Sequence, residues 1–220
     1  YFNNGNKTFT ESSADFGLND SGCALSSVFT DFDFDNDVDI LLANDFGEYN
    51  TFPNTLFVNN YPQNSFSQHG AQSGFNRSMF GMGIAPGDFN EDGHLDYYVT
   101  NIGTNSLYVN NGNGTFTDRA IDLGVDMTWG IQDSLRKTSW GCNFFDFDND
   151  SHLDLYVATG YVGAFLPLTV IMDSSKLFRN NGSGGFIDVS SGSGTDSPIS
   201  QRGSAVFDFD NDGDMDLVSN

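Results

Sequence analysis

Positive charge is scarce in this chain: eight Lys and Arg stand against 30 Asp and Glu in 220 residues, a formal net charge of −22. Nucleic acid and anionic membrane surfaces both require clustered basic side chains, so neither is an expected partner. Cations are. Cysteine is scarcer still. Cys23 and Cys142 exclude a disulfide-dense scaffold and show neither the CxxC spacing of a zinc site nor that of a redox motif. They read as buried free thiols, since a bridge needs Cα atoms within about 7 Å and the two precede different repeats. Long apolar runs are missing as well. The longest, "YVGAFLPLTVIM" from Tyr161 to Met172, contains Gly and Pro and falls short of the roughly 18 residues that cross a bilayer, so no membrane insertion is expected. With neither an initiator Met nor a signal-peptide pattern at Tyr1, the chain reads as processed or as a fragment.

What is present points to a folded protein with locally placed acid. Apolar residues make up 38% of the chain, 22 of them Phe, more than an acidic disordered tail would carry. The acid is concentrated in four stretches: "DFDFDNDVD" at 31–39, "DFNEDGHLD" at 88–96, "DFDNDSHLD" at 146–154 and "DFDNDGDMD" at 208–216. All share the frame D-x-[DN]-x-D-[GNS]-x-x-D, with starts separated by 57, 58 and 62 residues. The first copy also aligns two residues later, matching "DFDND" letter for letter, but only the earlier register preserves loop length.

Oxygen side chains at positions 1, 3, 5 and 9, with a turn-forming residue at position 6, suit a hard cation bound at about 2.3–2.6 Å. The candidate ligands are Asp31, Asp33, Asp35 and Asp39; Asp88, Asn90, Asp92 and Asp96; Asp146, Asp148, Asp150 and Asp154; and Asp208, Asp210, Asp212 and Asp216. Without a cation these carboxylates would repel one another. Calcium is therefore the expected cofactor, about four ions, one per loop. Position 7 (Asp37, His94, His152, Asp214) would offer its backbone carbonyl, leaving its side chain free to vary, so the histidines are not expected to act as zinc ligands or bases. These are not EF-hands: position 12 holds Leu42, Val99, Val157 and Ser219 in place of a bidentate Glu.

The flanking sequence is β-type. Runs such as "SSVFT", "GMGIAPG", "GCNFF" and "GSAVF" precede the loops, and "DILLAN", "DYYVTN", "DLYVAT" and "DLVSN" leave them. A third run ("TLFVNN", "SLYVNN", "KLFRNN"), a Gly/Asn turn and a fourth run complete the unit. Four short antiparallel strands per unit of roughly 60 residues predict an all-β propeller: three whole blades and two half blades. The approximate unit bounds are 1–20 (half), 21–76, 77–126, 127–196 and 197–220 (half). Phe32, Phe89, Phe147 and Phe209, at position 2 of each loop, are expected to pack between blades.

These motifs resemble the FG-GAP/VCBS repeat family, the blade type of integrin α-subunit propellers and of many secreted microbial proteins. "DFDND…LDLYVA", "ANDFG" at 43–47 and "LYVNNGNGTFTD" at 107–118 look most like the cartilage acidic protein and ASPIC/UnbV type. The resemblance spans essentially the whole chain and implies calcium at the sixteen positions named above, often within seven blades. A ring of seven would need roughly 400 residues at this repeat length, so either much is missing or four blades close by joining the half units. Asn36 and Ser151 in place of Gly, and Phe34 in place of Asn or Glu, imply weaker binding at loops one and three.

Function is expected in the connections, because loops on a rigid scaffold carry it. The candidate partner-binding residues are Trp129 in "VDMTWGIQDSLRK" and Tyr161, Phe165 and Leu166 in "YVGAFLPLTVIMDSS". The second of these segments, 161–175, is apolar enough to form an assembly contact. No catalytic residue is assigned. Asp45, Glu48, Asp126, Asp133 and Asp173 lie in connections, but their spacing brings no two together as acid and base. The sequons at Asn6, Asn19, Asn76, Asn113 and Asn181 are what an Asn-rich chain contains by chance. The reading is a calcium-stabilised binding, adhesion or scaffold module for a protein or glycan. It is placed outside the cell, on its surface or in the periplasm, where calcium is abundant. A lectin-like carbohydrate-binding propeller, with Tyr49 as a further aromatic, and a polysaccharide lyase or hydrolase are the alternatives.

Overall fold

Each acidic stretch closes a hairpin in one repeated register. In the computed structural model, which describes residues 1–50, 52–128, 138–160 and 174–220, Thr30 pairs with Asp39, Gly87 with Asp96, Phe145 with Asp154 and Phe207 with Asp216. The strand before each loop ends just ahead of position 1, and the strand after it begins at position 9.

Three four-stranded antiparallel blades result. The first is β3 (Cys23–Thr30), β4 (Asp39–Asp45), β5 (Thr55–Asn59) and β6 (Phe66–Gln68). The second is β7 (Ile84–Gly87), β8 (Asp96–Val99), β9 (Ser106–Asn110) and β10 (Phe116–Asp118), and the third is β11 (Ser139–Phe145), β12 (Asp154–Thr159), β13 (Lys176–Asn180) and β14 (Phe186–Asp188). Two half blades flank them: β1 (Phe2–Asn3) with β2 (Phe9–Thr10), and β15 (Ser204–Phe207) with β16 (Asp216–Ser219). Among the described residues helix is confined to two single turns, α1 (Gly47–Asn50) and α2 (Gly70–Ser73). The chain is an all-β propeller array.

The cores lie between blades. Phe32, Leu41 and Leu56 of the first blade pack with Tyr97, Val99 and Tyr108 of the second. Phe89, Tyr98 and Leu107 of the second pack with Cys142, Leu155 and Phe178 of the third, and Phe145, Tyr156 and Leu177 meet Val206 and Leu217 of the half blade. Adjacent residues of one strand therefore serve opposite cores. Tyr97 and Tyr98 are both wholly buried, the first facing the blade before and the second the blade after, as the two-residue period of a strand dictates. The uninterrupted apolar runs of β8 and β12 follow from cover on both faces. Outer faces lack that cover: Phe29 of β3 and Val218 of β16 are exposed.

The first strands β3, β7, β11 and β15 neighbour one another from blade to blade, and glycine sets how closely they approach. A Cβ on Gly83 would lie 2.6 Å from Trp140 O, and one on Gly141 would lie 2.7 Å from Ser204 N. Gly83 and Gly141 stand ahead of loops two and three because backbones converge there.

Candidate metal loops

Position 1 anchors every loop through backbone donors. The N–H groups of positions 5 and 6 donate to its two carboxylate oxygens: Asp35 and Asn36 to Asp31, Asp92 and Gly93 to Asp88, Asp150 and Ser151 to Asp146, and Asp212 and Gly213 to Asp208, all between 2.8 and 3.1 Å. The position-7 N–H then donates to the position-5 carboxylate, as from His94 to Asp92 and from His152 to Asp150, both at 2.9 Å. Such a curl needs left-handed backbone. Position 6 has it in Asn36 (φ +70°), Gly93 (+86°), Ser151 (+72°) and Gly213 (+96°), and so does position 4 in Phe34 (+59°), Glu91 (+58°), Asn149 (+59°) and Asn211 (+62°). Sequence reasoning anticipated the first set and missed the second, because side chains as different as Phe and Glu hide a shared conformation.

Position 9 ties loop to sheet. One oxygen of Asp39 accepts from Asn59 N–H at 2.9 Å, and the equivalent bonds from Asn110 to Asp96 and from Asn180 to Asp154 are 2.8 Å. The other oxygen accepts from position 2 in Phe32 to Asp39, Phe147 to Asp154 and Phe209 to Asp216. Burial raises these carboxyls well above the usual carboxylate range: Asp39 and Asp96 to about 7, and Asp154 to about 6. Asp33 is also raised, by burial first and then by the Asp35 charge.

One ligand oxygen from each of Asp31, Asp33 and Asp39 lies within 4.8 Å of the others, and the same holds for Asp146, Asp148 and Asp154 and for Asp208, Asp210 and Asp216. Oxygens bound to one Ca²⁺ at up to about 2.6 Å can be no more than about 5.2 Å apart, so these sets fit. The second oxygen of Asp96 is enclosed and lacks a well-formed hydrogen bond, with the Phe89 N–H as the other backbone donor that lowers this carboxyl's pKa besides Asn110. In loop two Asn90 holds position 3, linked to Asp92 through both its amide nitrogen and its oxygen. The sets comprise positions 1, 3 and 9; each position-5 carboxylate accepts the position-7 N–H on one oxygen, Oδ1.

Neighbouring loops touch. The position-7 side chain of each meets position 4 of the loop before it: the His94 ring lies 5.7 Å from that of Phe34, His152 Nδ1 pairs with Glu91 Oε1, and Asn149 Nδ2 donates to Asp214 Oδ1 at 2.6 Å. The pairing with Glu91 raises the His152 pKa. Asn110 and Asn180, which nothing in the loop frame marks as functional, reach further: their amides donate to Phe32 O at 2.9 Å and Phe89 O at 2.7 Å in the preceding blade. The recurring "NN" that closes the third run was the available signal.

An FG-GAP-like repeat model matches residues 31–99, 88–157 and 167–219, most of the chain and all four acidic loops. The chain belongs to the FG-GAP-like repeat family. Cartilage acidic protein 1 of Mus musculus is 28% identical over 151 residues, which is 68% of this chain; the chain spans 21% of that relative's length. Among solved structures, a lectin of Agrocybe aegerita, described as recognising non-reducing terminal N-acetylglucosamine, is 16% identical with a TM-score of 0.46. That match covers 92% of this chain and 48% of the lectin chain.

Of the other residues singled out in this FG-GAP-like chain, Trp129, Tyr161, Phe165 and Leu166 lie outside the described residues, as do Asp133 and Asp173. Tyr49 is exposed, with its ring edge-on to Phe80 at 5.2 Å. Phe32 and Phe89 are buried between blades, whereas Phe209 is exposed. Both cysteines are free, Cys142 buried and Cys23 exposed, and burial pushes the Cys142 thiol far up. Among the described residues no helix is long and apolar enough to cross a membrane.

Proposed function

We propose that the chain is a calcium-stabilised binding or scaffold module, extracellular, cell-surface or periplasmic, that presents blade-connecting loops to a protein or glycan partner and is not an enzyme. One observation carries this reading: in three of the four acidic loops the carboxylates of positions 1, 3 and 9 bring ligand oxygens within 4.8 Å of one another. Bound at the loops, Ca²⁺ would supply the charge that lets adjacent carboxylates stay ionised. The protein's own residues do the rest. Position 1 fixes the turn through two backbone donors, and position 9 fixes the strand after the loop to the third strand of the blade. The rigid surface so formed is what a partner would meet. External placement follows from calcium supply, because sites of this kind fill readily at millimolar concentration.

The test is a count of bound calcium together with thermal unfolding in millimolar Ca²⁺ and in excess chelator. About four ions per chain are expected. At a free concentration 100 times the dissociation constant each site contributes about 2.7 kcal/mol, so removal should lower the midpoint by about 5–10 °C per site. No bound calcium and an unchanged midpoint would end the calcium reading. A glycan array and a capture experiment with candidate surface proteins then separate the two partner classes, and turnover of any polysaccharide would overturn the non-enzymatic assignment.

A further inference from the structure

We infer that Asn110 and Asn180 are positioning residues that couple neighbouring metal loops, so that loops one, two and three load together rather than independently. This inference rests on the calcium reading above. Each asparagine is only 2% exposed, and each has its donors committed to two loops at once. The Asn110 N–H holds the position-9 carboxylate of its own loop, Asp96, at 2.8 Å, while its side-chain amide holds Phe32 O of loop one at 2.9 Å. Asn180 repeats this between Asp154 of loop three and Phe89 O of loop two, at 2.8 and 2.7 Å. The acceptors matter because of where they sit. Phe32 and Phe89 occupy position 2, between ligand positions 1 and 3, so pinning that carbonyl constrains both neighbouring ligands. In loop one the same Phe32 also donates to Asp39 at 3.3 Å.

A hydrogen-bonded path therefore runs from Asp39 through Phe32 and Asn110 to Asp96, and from loop two through Phe89 and Asn180 to Asp154. Each amide oxygen is itself held, by Gly112 N–H at 3.0 Å and Gly182 N–H at 3.1 Å, which fixes the amide so that its nitrogen faces the preceding blade. Asn59 is the internal contrast. Its backbone holds Asp39 in the same way, but its amide reaches Val38 O, within its own loop. The position-4 to position-7 contacts bring the same loops together a second time. Ordering one loop around an ion removes freedom from the next, and the next ion then meets a site already formed.

The experiment is a calcium titration of the chelator-stripped 220-residue chain by calorimetry at fixed ionic strength, arranged as a double-mutant cycle. Disabling loop two with Asp88→Asn should weaken the remaining sites by about fivefold or more. In the Asn110→Ala, Asn180→Ala background the same Asp88→Asn change should alter them by less than about twofold. Asn59→Ala should weaken loop one yet leave the coupling intact. Unchanged coupling in the double alanine background, or remaining sites indifferent to Asp88→Asn in the otherwise native chain, would overturn the inference. An absence of bound calcium in the native chain would instead remove the reading it rests on. Should the alanine variants fail to fold, the side-chain amide resonances of Asn110 and Asn180 in the native chain decide. Their shift and slowed exchange as calcium is added support the coupling, and resonances that do not move contradict it.

Discussion

Phe34 holds a φ of +59° on a side chain that gains nothing from that conformation, at a cost of roughly 1–2 kcal/mol for an L residue. Loops three and four place Asn149 and Asn211 there, and Asn tolerates the left-handed region. Phe34→Asn should therefore raise the unfolding free energy by about 0.5–1 kcal/mol in urea titrations at saturating calcium. A decrease would mean that ring packing on His94 outweighs the backbone relief. The position-9 carboxylates act through charge. Asp39 and Asp96 near 7 and Asp154 near 6 stand above an unfolded value of about 3.9. Between those limits the metal-free folded chain binds more protons than the unfolded chain, and its stability falls as pH rises through the window. In chelator, the unfolding midpoint should rise on going from pH 7.5 to 5.5. With calcium it should fall, because ion binding needs the deprotonated groups. His152, raised by Glu91, contributes stability below its unfolded value that is lost as pH rises through the folded one, in both forms. Parallel pH trends with and without calcium would place the buried carboxylates outside the ion's reach.

The succession of strands in the whole blades was legible because signals coincide in their repeats: an acidic frame with fixed spacing, an apolar run after it and a turn further on. Their coincidence is what distinguishes a blade from an isolated acidic turn. The sequence is silent where the determining property is conformation rather than residue type. The left-handed backbone at position 4 is shared by Phe34, Glu91, Asn149 and Asn211, and no common chemistry announces it. Asn110 and Asn180 read as turn residues, since a sequence does not say which carbonyl of which neighbouring blade a buried amide will meet. The glycines of the first strands were legible as small residues, but their reason is tertiary. Gly83→Ala would set a methyl group 2.6 Å from Trp140 O, a backbone atom with little room to yield. It should cost roughly 1–3 kcal/mol, measured by denaturant unfolding in calcium. A neutral result would show that β7 and β11 can separate without loss.

Taken whole, the chain is a row of sheets each stabilised chiefly by its neighbours, and stability along it should follow cover rather than sequence position. Strands β8 and β12, buried on both faces, should exchange their amide hydrogens slowest, and β1, β2 and β16, exposed on at least one, fastest. Hydrogen exchange read by mass spectrometry tests this directly; equal protection in the half blades would show that the array behaves as one cooperative unit. Four Ca²⁺ would bring the formal charge from −22 to −14, easing self-repulsion along the row. The hairpin register has a further consequence. Gly87 pairs with Asp96 just as Phe145 pairs with Asp154, each pair bracketing a loop of equal length, so the chain can be cut and rejoined at corresponding points. Joining Gly87 directly to Asp146 would set β7 beside β12 across a loop of unaltered frame, with Asn180 meeting Phe32 where it had met Phe89. Length in such a molecule is a matter of copy number, and a whole repeat is the natural unit in which it can be lost or gained.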